Sequence, residues 1–353
     1  MKLTLPYSLI ILIIGFLSAH GQDMVNKRPA FKIVQRDFVL SNPPFKSCHA
    51  STLAELNDGS VMVAFFAGSY EGARDVKIWS AVSINGDWAN PRIIADGKVS
   101  DSLSYPCWNP VLFKSANGKL YLFYKIGKNP REWFGMMKSS VTDGRTWSEP
   151  LKLPAGCMGP VKNKPVELAN GLLLCPSSTE TETAWKVQME LFDPAKNDWK
   201  IIKVDQENPF QVIQPSILTY PDSTCRILCR SKSNAVITSL SKDSGKSWSN
   251  LTAIGLPNPN SGIDGVTLKD GSHLLVYNPL LSGKEWVNGR NQLNLAWSAD
   301  GITWKDILVL EKEPTGEFSY PAIIQSSDSK VHIAYTYKRI QIKHWILQTV
   351  PGE

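Results

Sequence analysis

The chain has 353 residues, 42% of them hydrophobic and 20% charged, and is therefore long enough to bury a large core. Its formal net charge of +6 is modest and spread along the chain, and no basic run with interleaved aromatic residues indicates a nucleic-acid partner. The sequence contains neither a CxxC pair nor an HExxH motif, so a zinc site is not expected, and its motifs require no metal or organic cofactor.

The first residues carry the features of a targeting segment. Lys2 is followed by an uncharged apolar run over 9–19, which is too short to span a bilayer, and small residues precede a cut after Gly21. We expect residues 1–21 to be a cleaved signal peptide. The mature protein, residues 22–353, is expected to be exported, either periplasmic or secreted, without spanning a membrane. The six cysteines are scattered, and a chain of this length does not need disulfides to hold its core.

A two-part turn pattern recurs along the chain. Its first part is a tight turn followed by an apolar strand, as in Asn57 to Ser60 before the strand 61–65. Such a turn between two apolar runs predicts a β-hairpin, and its repetition predicts a repeated β unit. Five further copies of this first part lie at 116–124, 170–174, 221–228, 269–277 and 328–335.

The second part of the pattern is a polar turn closed by tryptophan. Ser241 to Trp248 form a full Asp-box with the pattern Ser-x-Asp-x-Gly-x-Ser/Thr-Trp, and Ser298 to Trp304 form a copy one residue shorter. In this turn Asp and Ser side chains cap backbone amides, Gly adopts a positive φ, and Trp fills the gap between sheets. We therefore assign these turns to folding rather than to chemistry. Partial copies end at Trp88, Trp147 and Trp199.

The two parts keep their register, because a tryptophan follows the first turn after 25 to 33 residues in five successive units. A sixth first-part turn, at Ser329, is followed by strands but by no tryptophan turn. The missing strand is available at 31–40, before the first unit. The sequence thus predicts an all-β fold, a six-bladed β-propeller formed as one domain, with its ring closed by the N-terminal strand.

The innermost strands of a propeller converge on its axis, so polar residues beside them line the place where a ligand binds. Three such stretches, 159–166, 258–264 and 316–339, resemble the sialidase (neuraminidase) superfamily, especially its bacterial branch with BNR-type repeats. The resemblance covers nearly the whole mature chain and implies the sialidase-like six-bladed propeller. It also implies an arginine triad that grips a substrate carboxylate, a tyrosine nucleophile polarised by a glutamate, and an aspartate acid/base.

Four positions match this family pattern. Arg230 lies just before the full Asp-box and Arg290 before the next one, where two triad arginines are expected. Tyr320 follows at a suitable distance to be the nucleophile, and Asp75 comes after the first inner strand, as the acid/base would. Arginine recognises a carboxylate through two parallel hydrogen bonds, and a tyrosine nucleophile is a known exception among glycosidases. Asp75 would need a raised pKa to donate a proton.

Three positions depart from the pattern. His49 occupies the place of the first triad arginine, Gln214 is nearest to the place of the glutamate, and Arg339 stands where a supporting glutamate is expected. The triad could thus be rebuilt from Arg230, Arg290 and Arg339. A neutral glutamine cannot accept the tyrosine proton, so this departure argues against a sialidase-type covalent mechanism. Candidates for the second carboxylate are Glu180, Glu190, Asp264 and Glu317.

These residues support three hypotheses. The first is an exported, exo-acting glycoside hydrolase that removes a terminal acidic sugar, sialic acid or a uronic-acid unit, from a glycan. The second is a glycan-binding propeller without turnover, and the third is a uronate-directed polysaccharide lyase in which His49 and Tyr320 move protons. Each site residue could also be a paired or packed side chain with a structural role. The sequence does not indicate the oligomeric state. Further substrate contacts are predicted at Arg74, Lys162, Asn163, Lys164 and Asp264.

Overall fold

The structure, a computed structural model, describes residues 28–205, 207 and 209–350. The predicted signal peptide, residues 1–21, lies outside the described residues. Every regular element in the described part is a β-strand, and the strands form six blades and one extra two-stranded hairpin. The prediction of an all-β, six-bladed propeller is confirmed. Among the described residues, no helix is long and apolar enough to cross a bilayer.

The blades form one after another along the chain. The chain enters through β1 (Ala30–Phe38). Blade 1 contains β2 (Ser47–Glu55), β3 (Val61–Gly68), β4 (Lys77–Ile84), β5 (Asp87–Trp88) and β6 (Arg92–Ala95). A short hairpin of β7 (Lys98–Ser100) and β8 (Leu103–Ser104) leads to the next blade. Blade 2 contains β9 (Cys107–Lys114), β10 (Leu120–Ile126), β11 (Phe134–Ser140) and β12 (Leu151–Lys152).

The remaining blades have four strands each. Blade 3 contains β13 (Val166–Glu167), β14 (Leu173–Glu180), β15 (Trp185–Asp193) and β16 (Asp198–Lys203). Blade 4 contains β17 (Val212–Thr219), β18 (Cys225–Ser231), β19 (Ala235–Ser241) and β20 (Thr252–Pro257). Blade 5 contains β21 (Asp264–Thr267), β22 (His273–Tyr277), β23 (Gln292–Ser298) and β24 (Lys305–Lys312). Blade 6 contains β25 (Phe318–Gln325), β26 (Val331–Tyr337) and β27 (Gln341–Val350), together with β1.

Strands from opposite ends of the chain close the ring. β1 pairs antiparallel with β27, from Ala30 opposite Val350 to Phe38 opposite Lys343, and becomes the outermost strand of blade 6. The closure predicted from the absent sixth tryptophan turn is thus confirmed. Pairing the two chain ends completes the last blade, because β1 supplies the fourth strand beside β27.

The hydrophobic core is divided among the interfaces between neighbouring blades. Each of the six interfaces holds its own cluster of buried side chains. Phe66 of blade 1 and Leu112 of blade 2 share one cluster, and Val61 of blade 1 packs with Ala334 of blade 6 in another. Apolar burial therefore holds the blades together around the whole ring, and the inner strands are left to carry polar side chains.

The Asp-box turns have the capping geometry expected for them. In the full copy, Asp243 Oδ1 accepts hydrogen bonds from two backbone N–H groups at 2.9 and 3.0 Å, and Ser241 Oγ accepts one from Gly245 at 2.8 Å. Blade 2 builds the same turn with a different residue, because Thr142 Oγ1 accepts the Thr146 N–H at 2.9 Å in place of an aspartate. The partial copies therefore keep the turn through other polar side chains.

Four inner strands, β2, β9, β17 and β25, contain the same bulge. At each bulge two residues face one residue of the neighbouring strand, and the first of the two has a positive φ. In three bulges the second residue is proline, which has no N–H to leave unpaired. Bulges re-aim side chains and often lie beside functional sites. The positive-φ residues are Ala50 (56°), Asn109 (33°), Gln214 (56°) and Tyr320 (51°), and the prolines are Pro110, Pro215 and Pro321.

Candidate functional site

The bulges of β17 and β25 bring Gln214 and Tyr320 together beside Arg230 of β18. Arg230 Nη1 donates a hydrogen bond to the phenolic oxygen of Tyr320 at 2.5 Å, and Gln214 Nε2 lies 3.4 Å from the same oxygen. Gln214 Oε1 accepts a second bond from Arg230 Nη1 at 3.2 Å, which directs the amide nitrogen toward Tyr320. Both neighbours therefore present donors to the phenolic oxygen, an arrangement that stabilises negative charge on it.

The charge of Arg230 is not balanced by a direct ion pair. Its Nε donates to Asn260 Oδ1 at 2.8 Å, so its bonding partners are the neutral groups of Asn260, Gln214 and Tyr320. In the described part of the chain, none of the ion pairs includes Arg230. The side chain is nearly buried, with 8% of the residue exposed. A cation held in this way attracts an anionic ligand group.

Arg290 and Arg339 continue the row of cations. Arg290 Nη2 donates to the backbone oxygen of Asn260 at 2.8 Å, so this one asparagine contacts both Arg230 and Arg290. Arg290 Nη1 and Arg339 Nε bind the two carboxylate oxygens of Glu317 at 3.1 and 2.6 Å. The structure thus brings together the three arginines of the rebuilt triad. Their negative partner lies at the Arg290–Arg339 end, and the Arg230 end is left cationic.

His49 lies beside Tyr320, where the family pattern has an arginine. The two rings have centroids 4.2 Å apart, and Arg339 Nη2 lies 3.5 Å from His49 Nε2. Burial lowers the pKa of His49 well below its usual value, and the positive charges of Arg339 and Arg290 lower it further. His49 is therefore neutral near pH 7 and acts as an aromatic neighbour of Tyr320 rather than as a further cation.

The loop between β3 and β4 uses its acidic residues differently from the sequence prediction. Asp75 is exposed, and its carboxylate accepts hydrogen bonds from the Ser69 hydroxyl and N–H groups at 2.6 and 3.0 Å. These bonds lower the pKa of Asp75, whereas an acid/base role requires a raised one. Arg74 is likewise exposed on this loop. The loop instead reaches the arginines through Glu71, which pairs with Arg339 and which the sequence analysis did not select.

Three of the four candidates for the second carboxylate are bound by other groups of the protein. Glu190 accepts hydrogen bonds from the N–H groups of residues 158 and 159, at 2.9 and 2.8 Å, and is fully buried. Asp264 pairs with Lys164 at 2.9 Å, and Glu317 is bound by two arginines. Within the described residues, no group of three or more His, Cys, Asp or Glu side chains is placed to hold a metal ion.

Glu180 is the remaining candidate, and it lies on the cationic side of the site. It ends β14 directly opposite Trp185, whose ring centroid is 5.3 Å from the guanidinium carbon of Arg230. Burial raises the pKa of Glu180, although the positive charge of Arg230 acts in the opposite direction. Glu180 is half-buried rather than enclosed, so it combines access to solvent with an environment that favours its protonated form.

The cluster Lys162, Asn163, Lys164 and Asp264 is built into the walls of the channel. Lys162 and Asn163 have only 3% and 2% of their surface exposed, and Lys164 and Asp264 form an ion pair with each other. Lys162 Nζ already donates to three oxygen acceptors. The sequence analysis predicted that these residues contact substrate. The structure places them in contact with one another and with neighbouring blades, an arrangement that the sequence cannot show because it depends on four blades meeting at one point.

Two tryptophans that the sequence analysis did not select flank the arginines. Trp286, in the segment between β22 and β23, has its ring centroid 5.0 Å from the guanidinium carbon of Arg290 and 4.7 Å from that of Arg339. It is 57% exposed, which is unusual for so large an apolar ring. Trp185 lies over Arg230 at the other end of the row. Aromatic rings beside cations are common walls of ligand sites.

Comparison with known proteins identifies relatives of this fold. The profile of a family described as a BNR repeat-like domain matches residues 59–333. A protein of unknown function from Dyadobacter fermentans superposes with a TM-score of 0.75 at 16% identity, over 92% of this chain and 100% of that one. The intramolecular trans-sialidase from Ruminococcus gnavus gives 0.70 at 13% identity, over 91% and 99%.

The NanB sialidase from Streptococcus pneumoniae gives a TM-score of 0.68 at 12% identity, over 91% of this chain and 70% of that one. At such identities the likeness shows the fold alone, and it agrees with the resemblance predicted from the sequence. No curated protein sequence matches the chain.

Proposed function

This chain belongs to the BNR repeat-like domain family, and on that premise we propose that it is an exported, exo-acting glycoside hydrolase that removes a terminal acidic sugar from a glycan. The observation that carries the proposal is Arg230, a nearly buried cation that forms no ion pair among the described residues and is bonded directly to Tyr320. Sialidases are among the proteins that share this fold, which supports an acidic sugar as the substrate class.

The arginine row supplies the binding site for the acidic group. Arg290 and Arg339 are oriented by Glu317, which binds both, and Arg230 is oriented by Asn260. A sugar carboxylate placed against Arg230 would provide the missing counter-charge and could share the donors of Arg290. Charge-assisted bonds of this kind are about twice as strong as neutral ones and favour a planar, two-oxygen acceptor.

Tyr320 supplies the group that meets the anomeric carbon. Its oxygen is faced by the donors of Arg230 and Gln214, so negative charge on that oxygen is stabilised as positive charge develops on the sugar. His49 and Lys162, both buried, also lie beside the Tyr320 ring, whose centroid is 4.2 Å from that of His49 and 6.0 Å from Lys162 Nζ.

Glu180 is our proposed proton donor to the leaving group, in place of Asp75. A general acid must be protonated before it acts, and the raised pKa of Glu180 favours that state, whereas the lowered pKa of Asp75 opposes it. Glu180 also lies on the same side of the site as Arg230, whose positive charge acts on the pKa of Glu180. Glu71 forms an ion pair with Arg339 and thereby supports that arginine.

Two alternative functions are each favoured by a specific observation. A glycan-binding propeller without turnover is favoured by Gln214, which offers no carboxylate to accept a tyrosine proton. A uronate-directed lyase is favoured by the neutral state of His49 beside Tyr320, since a neutral imidazole can accept a proton.

Product analysis separates the three functions. The wild-type protein and the Glu180→Gln variant are incubated with a sialoside and with a set of uronate-ended oligosaccharides. Release of a saturated free sugar that is lost in the variant supports hydrolysis. An unsaturated, ultraviolet-absorbing product supports the lyase, and saturable binding with no product supports the glycan-binding propeller.

A further inference from the structure

Lys162 makes contacts across the centre of the ring. From the segment before β13 in blade 3, its Nζ donates to Ile263 O of blade 5 at 3.0 Å, to Pro321 O of blade 6, and to Asn163 Oδ1 at 2.9 Å. It forms no ion pair among the described residues, and the carboxylate of Asp264 is bound by Lys164 instead. A buried ammonium in this position is therefore stabilised by carbonyl oxygens rather than by an opposite charge.

Asn163 extends the same set of contacts to the neighbouring blade. Its Nδ2 donates to Gln214 O at 3.1 Å and to Pro215 O at 3.0 Å, both in the β17 bulge. Its Oδ1 accepts from Lys162, so the two side chains form one continuous network. Together they join the inner segments of blades 3, 4, 5 and 6 through oxygens of the backbone.

Three of the acceptors in this network are backbone carbonyl groups of two bulges. At β17 the bulge is Gln214-Pro215, and at β25 it is Tyr320-Pro321. A bulge takes two residues out of the regular ladder, and its carbonyl groups need other partners when they are buried. Lys162 and Asn163 supply those partners, one to each bulge.

The same two bulges carry the side chains that face the substrate in the proposed function. Gln214 and Tyr320 both have positive φ, at 56° and 51°, a conformation that non-glycine residues keep only when their surroundings enforce it. Apolar packing of similar volume could fill the space of Lys162 but could not bond three oxygens. The contribution of the ammonium group therefore lies in fixing these backbone positions.

We propose that Lys162 and Asn163 are positioning residues, which hold the β17 and β25 bulges so that Gln214 and the Tyr320 oxygen meet Arg230. This role depends on the proposed function only in the experiment that measures turnover. The groups with charge or titratable protons that face Lys162 are Asp264, Lys164, Arg230, His49 and the Tyr320 ring. Burial lowers the pKa of Lys162 to about 7.

The test reads the Tyr320 environment directly. Protein labelled with ¹³C in the tyrosine ring is examined by NMR, and the Tyr320 signal is assigned by its loss in Tyr320→Phe. We expect Lys162→Met to shift the Tyr320 signal. In the wild type the signal should also change with pH near about 7, as Lys162 loses its proton, and this change should be absent in Lys162→Met. The matched control is Lys125→Met, because Lys125 is equally buried but donates to Pro160 O and to neither bulge. It should lower stability similarly while leaving the Tyr320 signal in place.

Milder variants keep the test decisive if Lys162→Met fails to fold. Asn163→Ala and Lys162→Gln should each shift the Tyr320 signal, and the proposal is overturned if both fold and neither shifts it. On a substrate that the wild type turns over, Asn163→Ala should lower kcat by about 100-fold with KM within about threefold, as expected for misplaced reacting groups. The NMR result stands even if no substrate is turned over, so failure of the proposed function is distinguishable from failure of this one.

Discussion

Arg230 Nη1 donates a 2.5 Å hydrogen bond to the phenolic oxygen of Tyr320, and the arginine has neutral groups as its other bonding partners. The cation that would hold an acidic sugar is thus bonded to the oxygen that would face the anomeric carbon. Binding of the acidic group and stabilisation of the reacting centre are linked through one guanidinium group. Changes at Gln214, which touches both residues, should therefore alter binding and chemistry together.

The Gln214→Glu variant tests this linkage. It places a carboxylate beside Arg230, which would become the internal counter-charge and compete with the sugar carboxylate. We expect the Kd for an acidic sugar to rise about tenfold, which is about 1.4 kcal/mol. Titration calorimetry measures this, and Gln214→Met is the control that removes the amide without adding charge. Equal effects of the two variants would contradict the account of Arg230.

Glu180→Gln and Asp75→Asn distinguish the two candidate acids. Losing a general acid lowers the rate by about 100-fold or more, so we expect that loss for Glu180→Gln and a change within about threefold for Asp75→Asn. In the wild type, kcat/KM should fall as the pH rises through the raised pKa of Glu180, because the donor form is lost. This alkaline decline should be absent in Glu180→Gln. A large loss in Asp75→Asn alone would return the acid role to that residue.

The stability of the fold should decrease in mild acid. Burial lowers the pKa of His273 and His332 to about 4 and that of His344 to about 3, and His49 is lowered as well. The unfolded chain binds these protons at about pH 6.5 and the folded chain does not, so stability is fully present above that pH and is lost as the pH falls.

Each of these histidines steepens the decline by up to about 1.4 kcal/mol per pH unit. Urea unfolding between about pH 7.5 and about pH 5 measures the slope, which should be smaller in His344→Gln than in the wild type. A free energy of unfolding that stays constant over this range would contradict the neutral, buried state of these side chains.

The fold should not depend on disulfides. All six cysteines are buried and unpaired, and burial raises the pKa of Cys48 to about 12 and that of Cys225 to about 11. A reducing agent should therefore leave Tm unchanged, and thiol reagents should react only after unfolding. A reagent that lowers Tm by reduction, or that labels a cysteine rapidly in the folded protein, would contradict this assignment.

The scaffold was predictable because its signals are local. The turn of Ser241 to Trp248 satisfies its own backbone, so its residues indicate its structure wherever they occur. The equivalent turn in blade 2 was only partly recognised, because Thr142 makes the bond that aspartate makes elsewhere. Proline in the inner strands is a further local signal that the sequence analysis did not use, since Pro215 and Pro321 mark the bulges that carry Gln214 and Tyr320.

The site was predictable only where the family resemblance named a position. The resemblance selected Arg230, Arg290 and Tyr320, which the structure brings together in one site. It could not show that Asp75 is bound by Ser69 or that Glu71 meets Arg339, 268 residues away along the chain. The buried role of Lys162 was equally hidden, because it depends on carbonyl groups contributed by distant blades.

The measurement that tests the central claim most directly compares an acidic sugar with its methyl ester. Equilibrium binding of the two forms is measured for the wild type and for Arg230→Gln. The account predicts that the wild type binds the acid about 30-fold more tightly than the ester, about 2 kcal/mol, as expected for charge-assisted hydrogen bonds, and that this preference disappears in the variant. Equal binding of acid and ester by the wild type, or a preference unchanged in Arg230→Gln, would contradict it.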